Sequence, residues 1–125
     1  MTTNTTDATV QGKTDSIAKA FCDRGDAWMK QSEFARAVAD YGEALRNQES
    51  NESYLLRAKA HEGAGHPQKA IQDYSNSLRL QASWNGFADR GKCYLILGQV
   101  KEAIHDLTVA MEMAPEQTGL KRLKA

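Results

Sequence analysis

The sequence predicts an all-α solenoid built from three helical hairpins, and a repeated helix pattern is the first observation behind this prediction. AVADYGEAL begins at Ala37, AIQDYSNSL at Ala70 and AIHDLTVAM at Ala103, so the three strings start 33 residues apart. In each string apolar residues fall three and four apart, which places them on one face of an α-helix. Because a single hairpin cannot bury its own apolar face, the repetition indicates copies that stack on one another.

The second observation is that the repeat extends well beyond this helix. Three blocks align without a gap: residues 18–50, 51–83 and 84–116. Rings, small residues, one arginine and one aspartate recur at matching positions of the blocks. These columns include Phe21, Tyr54 and Phe87; Arg24, Arg57 and Arg90; Gly25, Ala58 and Gly91; Ala27, Ala60 and Cys93; Trp28, His61 and Tyr94; Asp40, Asp73 and Asp106; and Tyr41, Tyr74 and Leu107.

Each block breaks once, at KQSEF, AGHPQ or LGQVK, so each block is predicted to be two helices and a turn. Gly65 and Gly98 suit the left-handed residue that ends a helix, and Pro67 suits the first turn of the next helix. Ser32 takes the glycine position in the first block, where the turn is less sharply specified. Small residues facing each other allow the two helices of a hairpin to approach closely.

The two ends of the chain carry weaker patterns. Residues 1–14 are rich in polar residues and are expected to form a disordered tail, with the domain covering residues 15–125. Asp15 or Ser16 is expected to cap the first helix. Residues 117–125 are expected to form a short capping helix over the last repeat.

Composition narrows the function. The chain has 41% hydrophobic residues, 26% charged residues, and 16 basic against 16 acidic residues, as expected of one soluble domain without a field that attracts nucleic acid. No apolar run is long enough to span a membrane, and no signal peptide pattern is present, so we expect a cytoplasmic protein. Cys22 and Cys93 are expected to be reduced thiols.

The columns resemble the tetratricopeptide repeat family, whose unit is usually 34 residues long, over about residues 18–115. The third block matches the family pattern best, through Phe87, Gly91, Tyr94, Gly98, Ala103, Ala110 and Pro115. Ankyrin repeats have a similar period, but their Thr-Pro-Leu-His signature is absent from the sequence. The resemblance implies a right-handed superhelix that serves as a non-catalytic scaffold or adaptor for protein binding.

The resemblance also implies that a partner peptide or amphipathic helix binds in a concave groove lined by the first helices. The groove residues carried over are Lys19, Cys22, Asp23, Asp26, Met29, Lys30, Glu52, Leu55, Leu56, Lys59, Glu62, Asn85, Ala88, Asp89, Lys92, Leu95 and Ile96. Leu55 with Leu56 and Leu95 with Ile96 form apolar patches, unless one member of each pair packs inward.

One subgroup of the family holds the C-terminal carboxylate of chaperones in a clamp of Lys, Asn and Arg side chains. In order along the chain, the clamp has Lys and Asn on the first repeat, Asn on the second, and Lys and Arg on the third. At none of the five matching positions does this chain have the clamp's residue, and two of the positions are acidic. They are Cys22, Asp26, Leu56, Asn85 and Asp89. Since an acidic side chain repels a carboxylate, we expect this chain to lie outside the clamp subgroup.

No catalytic constellation is recognisable in the sequence. The three repeated aspartates are expected to lie too far apart to share a substrate, and to form a structural ladder with the three repeated arginines, either within a repeat or across a joint. No metal or cofactor is expected, because His61, His66 and His105 fall on different parts of the repeat. An enzyme that uses Cys22 is a remote alternative.

Self-association is the main rival to peptide binding. The C-terminal cap is short, so an incompletely covered repeat end could be closed by a second copy of the chain, which would form a homodimer or a structural oligomer. The N-terminal tail could also fold into the groove.

Overall fold

The computed structural model describes residues 3–114, and it describes side-chain surroundings from residue 10 onward. This part of the chain contains six α-helices and no strand. The helices are α1 (Thr3–Lys30), α2 (Phe34–Asn47), α3 (Asn51–Gly63), α4 (Pro67–Leu80), α5 (Trp84–Ile96) and α6 (Val100–Met113). Each helix packs against the next one along the chain, most extensively within the pairs α1–α2, α3–α4 and α5–α6. The predicted all-α repeat of three hairpins is therefore confirmed.

The three turns within the hairpins follow from left-handed residues. Gly65 and Gly98 have φ values of 81° and 76°, and Ser32 adopts the same conformation with φ 57°. Glycine has no Cβ to clash in this region, whereas serine is uncommon there. Pro67 then occupies the first turn of α4, where its missing N–H is not needed.

Serine side chains start the first helices of the second and third repeats. Ser50 Oγ accepts a hydrogen bond from the backbone N–H of Ser53, and Ser83 Oγ accepts one from Gly86. Each bond satisfies one of the free N–H groups at a helix start. These two caps fix the connections between repeats.

The core is made by the repeated small and aromatic columns. The fully buried small and aromatic residues of the second helices are Ala37, Tyr41, Ala44, Ala70, Tyr74, Ser77, Ala103 and Ala110. Tyr41 packs so closely on Gly25 that a Cβ there would lie 2.6 Å from the Tyr41 ring. The absence of a side chain at Gly25 therefore sets how closely α1 and α2 approach.

The Arg and Asp columns form three equivalent ion pairs, each within one repeat. Arg24, Arg57 and Arg90 donate through Nε and Nη2 to both carboxylate oxygens of Asp40, Asp73 and Asp106, at 2.7–2.9 Å. Two parallel bonds make these pairs strong and directional. The pairs tie the first helix of each hairpin to the second, and do not cross between repeats.

The start of α1 differs from the expected disordered tail over residues 1–14. The helix begins at Thr3, and neither Asp15 nor Ser16 caps it. Residues 3–15 contain no proline, and adding residues to an existing helix costs much less than starting one. Gln11 also donates hydrogen bonds to Asp15 at 2.9 Å and to Gln48, in the loop between α2 and α3, at 2.7 Å. The expected cap at residues 117–125 lies outside the described residues.

Candidate functional site

A pocket of about 340 Å³ lies between the first helices of the first two repeats, on the face formed by α1, α3 and α5. We call this face the groove face and this cavity the α1–α3 pocket. Its lining comprises Ala18, Lys19, Cys22, Asp23, Asp26, Gln48, Ser50, Glu52, Ser53 and Leu56. Of the predicted groove residues, Lys19, Cys22, Asp23, Asp26, Glu52 and Leu56 therefore meet in one cavity.

The α1–α3 pocket combines an apolar floor with an acidic rim. Cys22 and Leu56 are partly buried against the core cluster of Ala37, Tyr41 and Ala60, and Cys22 Sγ lies 3.4 Å from Ser53 Oγ. Burial and the nearby carboxylates of Asp26 and Glu52 raise the pKa of the Cys22 thiol. A raised pKa keeps the thiol protonated at neutral pH, which makes Cys22 a poor nucleophile.

Tyrosine hydroxyls from the core reach two carboxylates of the groove face. Tyr41 donates to Asp26, and Tyr74 donates to Glu62. The rings are fully buried, and burial together with these bonds raises the pKa of both tyrosines. Each repeated aromatic residue therefore does two things: its ring fills the core and its hydroxyl orients an acidic side chain. The third repeat has Leu107 in this column and lacks the bond.

The second and third repeats are joined on this face by an ion pair. Lys59 Nζ lies 3.1 Å from Asp89 Oδ2, and Asp89 is largely buried. Beyond this pair, Leu95 and Ile96 at the end of α5 are 50% and 69% exposed. Lys92 is exposed on the same helix. The groove face thus has an acidic pocket at one end and an apolar patch at the other.

The predicted leucine pairs behave differently from each other. Leu55 is partly buried and packs against the core cluster of Ala58, Tyr74 and Cys93. Leu56 lines the α1–α3 pocket. Both leucines of this pair are partly buried and pack against a core cluster, whereas Leu95 and Ile96 are exposed.

Two more predicted groove residues are placed singly. Met29 is partly buried against the same cluster of Ala37, Tyr41 and Ala60, and Lys30 is exposed at the end of α1. Sequence reasoning missed Ala18, Gln48, Ser50 and Ser53 as pocket residues. Gln48 and Ser50 belong to the loop between α2 and α3, and a helical pattern does not show which loop residues turn towards a groove.

The described residues were also compared with the requirements of a metal site, a reactive thiol and a membrane-spanning helix. Among residues 10–114 no three His, Cys, Asp or Glu side chains are grouped so as to hold a metal ion. Burial raises the pKa of the Cys93 thiol to about 12. Within the described part of the chain, no helix is both long and apolar enough to cross a membrane.

His61 occupies a partly buried position in the ring column. Its Nε2 lies 3.6 Å from Asp73 Oδ2, and its Nδ1 is buried without a hydrogen-bond partner. Burial lowers the pKa of His61, while the charge of Asp73 opposes that shift. A neutral imidazole next to one carboxylate fits a packing role in the hairpin.

The helices and joints described above define an α-helical repeat domain of the solenoid class. Solved structures show which repeat it is. The second TPR domain of Spaghetti (RPAP3), solved with the HSP90 peptide SRMEEVD, is 24% identical with a TM-score of 0.77, and the match covers 82% of this chain and 96% of that one. The Arabidopsis OM64 TPR domain is 24% identical with a TM-score of 0.79, and covers 89% of this chain and 97% of that one.

A third match is the second TPR domain of human RPAP3 in complex with the HSP70 peptide SGPTIEEVD. It is 23% identical with a TM-score of 0.76, and covers 92% of this chain and 98% of that one. No protein-family model and no curated protein matches the sequence. The fold of the chain is therefore that of a tetratricopeptide repeat domain, as the repeated columns predicted.

Proposed function

We propose that this chain is a non-catalytic adaptor whose groove face binds a segment of another protein, with a basic side chain of that segment seated in the α1–α3 pocket. The observation that carries the proposal is the composition of the pocket. Asp23, Asp26 and Glu52 surround it, whereas Lys19 is its one basic lining residue. Lys19 is already engaged, since its Nζ lies 3.1 Å from Asp23.

The pocket suits the whole of a lysine or arginine side chain. The aliphatic stem can pack on Leu56 and Cys22, while the charged head reaches the carboxylates of Asp26 and Glu52. Tyr41 holds Asp26 in place before a partner arrives, so less ordering is needed on binding. Charge-assisted bonds of this kind are stronger than neutral ones.

The exposed patch of Leu95 and Ile96 offers a second contact for an apolar residue of the same segment. Between the two sites, Lys59 and Asp89 neutralise each other. A partner segment with one basic and one apolar anchor therefore matches the groove face, in an extended or a helical form.

The same residues support placing this chain outside the carboxylate-clamp subgroup. The neighbours from Spaghetti and human RPAP3 were solved with peptides that end in EEVD. In this chain Asp26 and Asp89 occupy two of the five clamp-matching positions, and a C-terminal carboxylate would meet like charge there. We therefore propose that the partner presents a cation where clamp ligands present an anion.

Peptide binding measured by fluorescence anisotropy tests this proposal. One probe set consists of N-acetylated, C-amidated peptides with a lysine or arginine followed by a leucine at varied spacing in a Gly-Ser background. The matched set has glutamate in place of the basic residue, and SRMEEVD with a free carboxylate is the third probe. We expect the best basic peptide to bind at least about tenfold more tightly than its glutamate match, a difference of about 1.4 kcal/mol.

Two variants assign the binding to the pocket. Glu52→Lys changes the sign of one exposed rim residue and is expected to abolish the preference for the basic peptide. Ile104→Asp changes an exposed residue on α6, outside the groove face, and should leave binding unchanged. Tighter binding of SRMEEVD than of every basic peptide would refute the proposed specificity.

A further inference from the structure

The outer face of α1 presents a repeat joint that has no partner within the described chain. In the second and third repeats, Ala60 and Cys93 are fully buried. Ala60 packs with Tyr41 of α2, and Cys93 packs with Tyr74 of α4, so each lies against the preceding repeat. Ala27 belongs to the same column of the first repeat and is exposed. The first repeat therefore shows the surface that the other two repeats bury.

The arginine column shows the same difference quantitatively. The side chains of Arg57 and Arg90 are 28% and 18% exposed, whereas that of Arg24 is 62% exposed. Arg90 Nη1 donates at 3.0 Å to Ser75 Oγ on the preceding helix α4. Arg24 makes its bidentate pair with Asp40, and within the described residues no helix precedes α1.

The complementary surface lies on α6, at the other end of the described stack. Val38 and Ile71 are partly buried against the core clusters that contain Ala60 and Cys93 of the following repeat. Ile104 holds the same column in α6 and is 59% exposed. The outer face of α6 therefore repeats the surface that α2 and α4 use to receive the next hairpin.

At the joint between the second and third repeats, a leucine packs onto a glycine. Leu78 of α4 packs onto Gly86 of α5, where a Cβ would lie 2.9 Å from Leu78 Cδ2. Met111 of α6 holds the column of Leu78 and is 38% exposed, and Ala20 of α1 holds the column of Gly86 and is exposed. A cavity of about 330 Å³ opens at Ala20, lined also by Ile17, Phe21 and Arg24. This cavity can accept a flexible methionine side chain.

We propose that the outer face of α1 binds the outer face of α6 of a second copy of this chain, continuing the stack head to tail. The contact would reproduce the joints that α2–α3 and α4–α5 already make within one chain. Because the two surfaces differ, the contact is heterologous, and each added copy leaves one free surface of each kind. This association is independent of peptide binding on the groove face.

A mixing experiment with two blocked variants tests both the association and its polarity. Ile17→Asp blocks the α1 face and Ile104→Asp blocks the α6 face, at residues that are 44% and 59% exposed. Ile96→Asp, at a groove-face residue that is 69% exposed, is the matched control. Circular dichroism melting establishes that each full-length variant folds, and sedimentation velocity over a concentration series gives the mass.

Head-to-tail stacking predicts a specific pattern of masses. Wild type and Ile96→Asp grow beyond dimer with concentration, each blocked variant alone stays monomeric, and the two blocked variants mixed form a dimer and nothing larger. A wild type that stays monomeric at every concentration overturns the proposal. So does an Ile104→Asp variant that still dimerises alone, because that result shows α1 pairing with α1.

Discussion

The buried faces of the second helices and the groove face of the first helices differ in how closely their residues repeat. Ala37, Ala70 and Ala103 are identical and fully buried in the three repeats. On the first helices, one exposed column reads Asp26, Lys59 and Lys92, and a second, less exposed column reads Asp23, Leu56 and Asp89. The comparison teaches that repetition marks the residues that hold the stack together, whereas variation marks the surface available for recognition.

Removing one carboxylate from the ladder is expected to have the largest effect. Asp73→Asn leaves Arg57 partly buried without its partner and should lower the free energy of unfolding by about 3 kcal/mol. Asp40→Asn leaves the more exposed Arg24, which water can solvate, and should cost about 1 kcal/mol. Urea unfolding followed by circular dichroism measures both. Equal losses would show that burial of the arginine does not set the cost.

Adding a methyl group within a hairpin should have a smaller effect than breaking an ion pair. In Gly25→Ala the new Cβ lies 2.6 Å from the Tyr41 ring, so overpacking of about 2 kcal/mol should exceed a helix-propensity gain of about 1 kcal/mol. In Gly42→Ala the new Cβ meets only Arg57 Nη1, at an ordinary 3.5 Å, so the propensity gain remains. Thermal melting should rank the wild type between the two. The opposite ranking would mean that α1 and α2 can separate at little cost.

We expect folding stability to depend on pH through His61 of α3, whose side chain lies next to Asp73 of α4. Its pKa is lowered in the folded chain, so the unfolded chain binds this proton more readily, and folding stability falls as the pH drops below about 6.5. His61→Phe removes the titrating group and the buried unpartnered Nδ1. The free energy of unfolding of this variant, relative to that of wild type, should therefore rise as the pH is lowered from 8 to 5.

Urea unfolding at the two pH values measures the His61 effect. His66→Gln, at an exposed histidine of the turn, is the control and should not reproduce the change. A constant difference between His61→Phe and wild type would contradict the assignment of the pH dependence to His61.

The smallest effect on stability is expected on the groove face. Ile96→Asp changes a side chain that is 69% exposed, so the free energy of unfolding should change by no more than about 0.5 kcal/mol. The same variant should weaken the best capped basic peptide severalfold in the anisotropy assay. Unchanged peptide affinity would remove the α5 patch from the proposed site while leaving the α1–α3 pocket in place.

The fold could be predicted from the sequence because the residues that pack in the core recur in all three repeats. The turns at Gly65 and Gly98 and the buried columns around Tyr41 and Tyr74 follow directly from the 33-residue period. The sequence did not predict that α1 begins at Thr3. Polar residues next to an existing helix can extend it, because extension costs much less than starting a new helix.

The candidate site was less predictable than the fold. Helical spacing places Leu55 and Leu56 side by side, but only the packing of the helices shows that Leu56 lines the α1–α3 pocket and Leu55 does not. Likewise, no residue pattern shows that the hydroxyls of Tyr41 and Tyr74 orient groove carboxylates. These features depend on how the helices pack against each other, which local sequence does not encode.

Backbone amide chemical shifts during titration with the best capped basic peptide test the central claim most directly. The α1–α3 pocket predicts saturable shift changes at Cys22, Glu52 and Leu56, and none at Ile17 or Ile104 on the end faces. Changes confined to the end faces, or no changes at saturating peptide, would contradict the proposal that the groove face is the binding surface.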